Sequence, residues 1–255
     1  MYQPRTYRHW VKDKGLVAFN VVVKETDLYI RAHSDLKRKA LRLVEKYRQQ
    51  LESYIERHPA FLTSLEPLAV GSNAPHIVAE MAEAASKVGV GPMAAVAGAI
   101  AEFVGKELLE SSPEVIVENG GDIYLKSLSD RLIGIYAGQS PLTGKVGLEV
   151  RGKDTPIGIC TSSGTVGHSL SFGQADAVIA LSKSTALADA AATAIGNLIK
   201  SADEIPRAIE RAISIKGLNG IIIIKDDKIG FWGKVKVLPI SEREKEEIPT
   251  SQGAL

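Results

Sequence analysis

The stretch "PMAAVAGAIAEFVGKELLESSPEVIVENGGDIYL", residues 92–125, combines two hydrophobic periods. Over residues 92–110, apolar side chains recur every three or four residues, which predicts a helix. Most of the other positions in that helix are Ala or Gly, and because small residues let another backbone approach closely, we expect the helix to lie in the interior. Residues 113–125 follow as short apolar strands interrupted by a double glycine. An interior helix beside a hairpin predicts an α+β fold.

The rest of the chain mixes helices and hairpins in the same way. Helical periods occur at 34–57, 75–88, 184–200 and 203–215. Hairpins are predicted at 15–32, with a turn at Glu25–Asp27, and at 220–233, with further short strands between 131 and 181. We therefore expect one α+β domain over residues 1–240, with antiparallel strands packed against helices. The charged segment 241–255 has no core stripe and is predicted to be a mobile tail.

The composition of the chain favours neither a nucleic-acid-binding protein nor a membrane protein. The 255 residues carry a formal net charge of +1, so no bulk electrostatic field favours nucleic acid, and we expect no nucleic-acid partner. No apolar run is long enough to span a bilayer and the N-terminus has no apolar signal region, which predicts a cytoplasmic protein without membrane contact. A homo-oligomer is expected only because such assemblies are common.

Two glycine-containing segments are candidates for ligand binding. In "ENGGDIYL", residues 118–125, glycine lets a ligand approach the backbone, although a tight turn between two strands explains the same residues. In "CTSSGTVGHSLSFGQADAV", residues 160–178, bare N–H groups and hydroxyls can surround a phosphate, and His168 can donate to it or transfer a proton. The alternative is a surface loop of turn residues. Cys160 is expected in the core.

The helix at 184–200 carries a candidate metal site. Asp189 and Thr193 are four residues apart and therefore project from one helical face. A carboxylate and a hydroxyl are hard oxygen ligands that suit Mg²⁺, which keeps several waters and also binds substrate phosphates. A purely structural role for both side chains explains the same spacing.

Taken in order, "NGGDI", "TSSG" and "ADAAATA" resemble the ApbE-type flavin transferases over roughly residues 88–200. The whole chain is similar to a shorter, uncharacterised ApbE-like family, marked by "GVGPMAAVAGAIAE", "ENGGDIYL" and "TSSGTVGHSLSFGQADAV". The resemblance implies an ApbE-like α+β fold that binds FAD or FMN with Mg²⁺. It also implies transfer of FMN from FAD to a threonine or serine of an acceptor protein.

The resemblance also implies roles for individual residues. Asp189 and Thr193 would hold the metal, and His168 is the candidate catalytic acid or base. The residues that would line the nucleotide site are Gly120, Gly121, Asp122, Thr161, Ser162, Ser163 and Gly164.

Two stretches depart from the transferase pattern. "GTVGHSLSFGQADAV" stands where transferases have a "HHIIDPRTG"-like run, and "GVGPMAAVAGAIAE" has no lysine or aspartate at the places where "GGIAKGYAVD" has them. Binding of a nucleotide is therefore expected, while FMN transfer or nucleotide cleavage stays open. The alternative is a non-catalytic protein of the same fold that binds a small ligand.

Overall fold

The computed structural model describes residues 15–165 and 171–240. The helices are α1 (Lys37–Arg57), α2 (Ala60–Thr63), α3 (His76–Val88), α4 (Val96–Leu108), α5 (Thr185–Gly196) and α6 (Ile205–Ile213). The strands are β1 (Val17–Val23), β2 (Thr26–Ala32), β3 (Val115–Asn119), β4 (Asp122–Lys126), β5 (Arg131–Gly134), β6 (Val146–Val150), β7 (Ile157–Ser162), β8 (Ala177–Ser182), β9 (Leu218–Lys225), β10 (Lys228–Gly233) and β11 (Val237–Pro239).

Eight strands form one antiparallel sheet in the order β1-β2-β3-β4-β7-β8-β9-β10, and a three-stranded sheet has the order β11-β6-β5. The larger core lies between the helices and one face of the eight-stranded sheet. The smaller core lies between the other face and the three-stranded sheet. Central strands are therefore covered on both faces, which explains why β8 is buried along its whole length.

The run of four isoleucines in β9 illustrates this arrangement. Ile221 and Ile223 belong to the core on the helical side, whereas Ile222 and Ile224 belong to the core on the side of the small sheet. Successive side chains of a strand point to opposite faces, so a strand between two layers needs apolar residues at every position. The predicted α+β fold with antiparallel strands packed against helices is confirmed.

Some local expectations were wrong. The first hairpin turns at Lys24 and Glu25 rather than at Glu25–Asp27, since Thr26 pairs with Val23 and Asp27 pairs with Val22. Lys24 adopts a φ of 52°, which makes a two-residue turn possible without glycine. The helix expected over 92–110 is a 3₁₀ turn at Pro92–Ala95 followed by α4. The proposed tail at 241–255 lies outside the described residues, and the single domain over 1–240 stays a prediction.

The interior position of α4 is confirmed, and glycine is the reason it can pack so closely. A Cβ atom added at Gly98 would lie 2.5 Å from the carbonyl oxygen of Thr185 and 2.8 Å from the Cβ of Asp189. Both atoms belong to α5. The backbones of α4 and α5 therefore approach to a distance that any larger residue at position 98 would prevent.

Across residues 15–165 and 171–240, no single helix is long and apolar enough to cross a membrane. Two consecutive helical segments, His76–Val88 and Pro92–Leu108, are long and apolar enough when taken together, but the chain bends by 105° between them.

Replacing Gly98 with Ala is expected to lower the free energy of unfolding by about 1 to 3 kcal/mol, because the added methyl group must push α5 away. Urea denaturation measures this change. Gly196→Ala is the matched control, since a Cβ there would lie 3.5 Å from its nearest neighbour, the Oγ of Ser162. Equal stability of the Gly98→Ala variant and the unchanged chain would contradict the close packing of these helices.

Candidate functional site

Helices α4 and α5 cap each other through two carboxylates. The Oδ2 of Asp189, on α5, accepts a hydrogen bond from the backbone N–H of Gly98 at 2.8 Å. The Oε2 of Glu102, on α4, accepts from the N–H of Thr185 at 2.6 Å. Each acceptor lies four residues beyond the donor of its own helix, so the two contacts form a reciprocal pair. First-turn N–H groups have no partner within their own helix, and these carboxylates satisfy them.

Asp122 lies beside this helix pair, at the start of β4. Its Oδ1 accepts a hydrogen bond from the N–H of Thr161, at 3.1 Å. A Cβ added at Gly121 would lie 3.9 Å from the Cβ of Thr161, so the β3–β4 turn approaches the end of β7. The three sequence segments predicted to form the site therefore come together, since Asp122 binds Thr161 and Cys160 of β7 contacts Thr185 at the start of α5.

The charge of Asp189 disfavours the ionised form of Asp122. Burial raises the pKa of Asp122 well above its ordinary range, and the negative charge of Asp189 raises it further. Burial also raises the pKa of Asp189, to about 7, although the N–H groups of Gly98 and Ala97 act in the opposite direction. Negative charge is thus costly at this point of the chain, and a bound cation would relieve that cost.

The β3–β4 connection is a tight turn, as the structural alternative predicted. Gly120 and Gly121 have φ angles of 67° and 107°, a combination that favours glycine at both positions. The Oε1 of Glu118 accepts the N–H of Gly121 at 2.8 Å. The side-chain amide of Asn119 donates to the carbonyl of Ala97 at 3.0 Å and thereby ties the turn to the start of α4. A role for these glycines in lining a nucleotide site stays a prediction.

The end of β7 differs from the expected phosphate loop. Three of its N–H groups are not bare: Thr161 donates to Asp122, Gly164 to the carbonyl of Ala175, and Thr165 to the Oγ of Ser163. Hydroxyl-rich segments satisfy their own backbone in this way when they form local turns. The expectation of bare N–H groups is therefore wrong for these positions. The hydroxyl of Ser162, at the end of β7, lies close to Gly196 of α5.

The structure describes Cys160 but not His168. The thiol of Cys160 is buried and donates to the carbonyl of Thr185 at 3.4 Å. Burial raises the pKa of this thiol well above its ordinary value, and the charge of Asp122 adds to the effect, so the residue belongs to the core as expected. His168 lies outside the described residues.

Asp189 and Thr193 are half-buried and one turn apart on α5. Among the residues that the structure describes, no group of three or more His, Cys, Asp or Glu side chains is arranged to hold a metal. Two N–H donors occupy about half of the roughly four lone-pair sites of the Asp189 carboxylate, which leaves room for a cation. The donor set fits Mg²⁺, which needs few protein ligands when water and phosphate complete its coordination.

Glu102 is the residue that sequence analysis did not single out. Its side chain is buried on α4, and its other oxygen, Oε1, pairs with the Nζ of Lys106 at 2.6 Å. One signal was available in the sequence: the spacing from Gly98 to Glu102 repeats the spacing from Thr185 to Asp189. Which N–H groups each carboxylate would reach depended on the helix contact itself.

Comparisons with known proteins identify relatives over most of the chain. The family model described as "AbpE bacteria" matches residues 8–217. A UPF0280 protein of Methanocaldococcus jannaschii is 46% identical over 224 residues, which cover 86% of this chain and 91% of the relative. A UPF0280 protein of Methanococcus vannielii is 41% identical over 235 residues, which cover 90% and 95% of the two chains.

Solved structures share the fold. The flavin transferase ApbE of Vibrio cholerae superposes with a TM-score of 0.59 at 14% identity, over 91% of this chain and 98% of the other. The flavinyl transferase ApbE of Pseudomonas stutzeri, in its apo form, gives 0.54 at 14% identity, over 86% and 94% of the two chains. At this identity the likeness bears on the fold alone, and it confirms the ApbE-like fold expected from the sequence.

Asp189→Asn is expected to flatten the pH dependence of stability. Because the pKa of Asp189 is raised in the folded chain from its ordinary 3.8 to about 7, its stabilising contribution is present below about pH 4 and is lost as pH rises through 7. The asparagine oxygen still accepts the N–H of Gly98 but does not titrate. Urea denaturation between pH 4 and 7, with EDTA present, compares the two proteins, and parallel stability curves would contradict the raised pKa.

Proposed function

The chain belongs to the family described as "AbpE bacteria", and from that premise we propose that it binds a flavin nucleotide, FAD or FMN, together with Mg²⁺. The observation that carries the proposal is that three separate segments come together: Asp122 accepts the N–H of Thr161, and the charge of Asp189 raises the pKa of Asp122. These are the segments on which the resemblance to flavin transferases rests. A nucleotide at this point would lie between the β3–β4 turn, the end of β7 and α5.

Asp189 and Thr193 are the proposed protein ligands of Mg²⁺. A bound Mg²⁺ would contribute charge stabilisation for the phosphate oxygens of the nucleotide. Asp122 accepts the N–H of Thr161, and its carboxyl lies close enough to Asp189 for the charge of Asp189 to raise its pKa, but it is not one of the proposed ligands. Both carboxylates favour a cation at this site over an isolated anionic phosphate. We therefore expect nucleotide binding to depend on Mg²⁺.

Whether a reaction follows binding depends on residues beyond the proposed metal ligands. His168 is the proposed acid or base for cleavage of FAD or for transfer of FMN to an acceptor protein. The departures from the "HHIIDPRTG" and "GGIAKGYAVD" patterns motivate the second candidate, a protein of the same fold that binds a small anionic ligand without turnover. The first candidate is defined by its reaction with a flavin nucleotide, whereas the second is not tied to a particular ligand.

Titration with FAD and FMN, with and without Mg²⁺ and followed by flavin fluorescence, tests the binding proposal. We expect Mg²⁺-dependent binding that Asp189→Ala weakens by about tenfold or more, because a metal ligand is removed. Thr193→Val should weaken binding in the same direction, and Thr193→Ser, which keeps the hydroxyl, should restore most of it.

Asp227→Ala is the matched control for the loss of one negative charge, since Asp227 lies 68% exposed in the β9–β10 turn. It should bind flavin nucleotide as the unchanged chain does. Absence of flavin binding to the unchanged chain under every condition, or Asp189→Ala binding with unaltered Mg²⁺ dependence, would refute the proposal.

His168→Ala separates the two candidates. If the chain is a transferase or hydrolase, FAD turnover should fall by about a hundredfold or more while FAD affinity stays the same, because general acid–base catalysis contributes to rate and not to binding. Mass spectrometry of candidate acceptor proteins and chromatography of FAD measure turnover, with His33→Ala as the control. Binding without turnover in the unchanged chain, across Mg²⁺ and acceptor conditions, would instead favour the non-catalytic protein.

A further inference from the structure

We propose that Glu102 is a positioning residue, which holds α5 so that Asp189 and Thr193 are correctly placed for the cation. This proposal rests on the function proposed above and adds to it a residue that touches neither the cation nor the nucleotide. It begins with the N-terminus of α5. The Oγ of Ser184 accepts the N–H of Leu187 at 3.2 Å, which leaves the N–H groups of Thr185 and Ala186 without an acceptor from their own segment.

Glu102 supplies that acceptor from another helix. Its Oε2 lies 2.6 Å from the nitrogen of Thr185 and 3.4 Å from that of Ala186. Glu102 is only 4% exposed, so water does not compete for these N–H groups. A carboxylate at the N-terminus of a helix also interacts favourably with the helix dipole. Charge-assisted hydrogen bonds of this kind are about twice as strong as neutral ones.

The contact between Glu102 and Thr185 fixes the position of α5 relative to α4. Asp189 lies one turn beyond Thr185, and its own carboxylate is bound to Gly98 of α4. Two contacts four residues apart, one at Thr185 and one at Asp189, prevent α5 from sliding or rotating against α4. Of these two contacts between α4 and α5, loss of the one at Glu102 leaves only the hydrogen bond at Asp189, so Asp189 would have to hold α4 and also serve as a metal ligand. Supporting residues of this kind change metal affinity by about 10- to 100-fold in other proteins.

The surroundings of Glu102 keep its carboxylate in place. Lys106, one turn along α4, pairs with Oε1 at 2.6 Å and holds the side chain against the helix. The carbonyl of Thr185 accepts the thiol of buried Cys160, so the first residue of α5 is fixed on its other side by β7. The start of α5 is therefore held from both sides, and Glu102 contributes the charged contact.

Two variants of Glu102 test the proposal. Glu102→Leu keeps the volume and removes every acceptor, whereas Glu102→Gln keeps an oxygen that can accept the N–H of Thr185. Hydrogen exchange followed by mass spectrometry, without any ligand, should show the amides of α5 exchanging about tenfold faster in Glu102→Leu, with Glu102→Gln in between. If the leucine variant does not fold, the glutamine variant alone still shows a smaller increase.

The second measurement is the Mg²⁺ concentration that half-saturates FAD binding. We expect it to rise about tenfold in Glu102→Leu and less in Glu102→Gln, while FAD affinity at saturating Mg²⁺ changes little. The matched control is Glu114→Gln, which alters a buried carboxylate bound to the N–H of Leu128 and to Arg131 at the other end of β3. This control should be destabilised without a change in the Mg²⁺ requirement.

The outcomes separate this inference from the proposed function. Unchanged exchange of α5 in both Glu102 variants would overturn the inference, and so would faster exchange with an unaltered Mg²⁺ requirement, which is the signature of a cap that serves folding alone. If the unchanged chain binds no flavin nucleotide, the proposed function fails on that result alone. The Mg²⁺ requirement is then measured without nucleotide, from the stabilisation that Mg²⁺ gives each chain against urea, and an equal requirement in Glu102→Leu and the unchanged chain would overturn the inference.

Discussion

The reciprocal capping of α4 and α5 is the contact on which the arrangement of the site depends. The first N–H groups of each helix have no hydrogen-bond acceptor within that helix. Asp189 accepts the N–H of Gly98 on α4, and Glu102 accepts those of Thr185 and Ala186 on α5, so each helix is capped in part by the other. A buried N–H group left without an acceptor costs about 1 to 3 kcal/mol. The pair therefore has one favourable alignment, which also determines where the second turn of α5 faces.

Close backbone approach is the condition for this exchange of caps. A carboxylate on one helix reaches the first turn of the other only if the axes are near, and Gly98 allows that distance at the contact with Thr185. The same close packing occurs under α5, where a Cβ at Gly158 of β7 would lie 2.4 Å from the Cα of Thr185. The richness in alanine and glycine of both helices follows from these approaches. The small-residue composition of α4 and α5, their exchange of N-terminal caps and the placement of Asp189 thus all follow from the close packing of these two helices.

The sequence predicted those features that depend on local periodicity. Alternation and three-to-four spacing located the helices and most strands, and the small residues of 92–110 correctly indicated an interior helix. Features that depend on distant partners were missed or wrong. The N–H group of Gly164 looked bare because its acceptor, the carbonyl of Ala175, lies on the far side of the loop, whereas that of Thr165 is satisfied locally by the Oγ of Ser163. Glu102 resembled one more charged residue of a helix, because the N–H groups that it caps, those of Thr185 and Ala186, are more than 80 residues away.

Capping alone explains Asp189 but does not explain Asp122. An aspartate that binds the N–H of Gly98 serves α4 whether or not a ligand is present, and an asparagine would do nearly as well. Asp122 is a second acid, buried on β4, whose pKa is raised by burial and by the charge of Asp189. The charge of Asp189 beside the buried carboxyl of Asp122 costs the folded chain free energy. Local conflicts of this kind concentrate at functional sites, and a cation bound at the proposed site would remove this one.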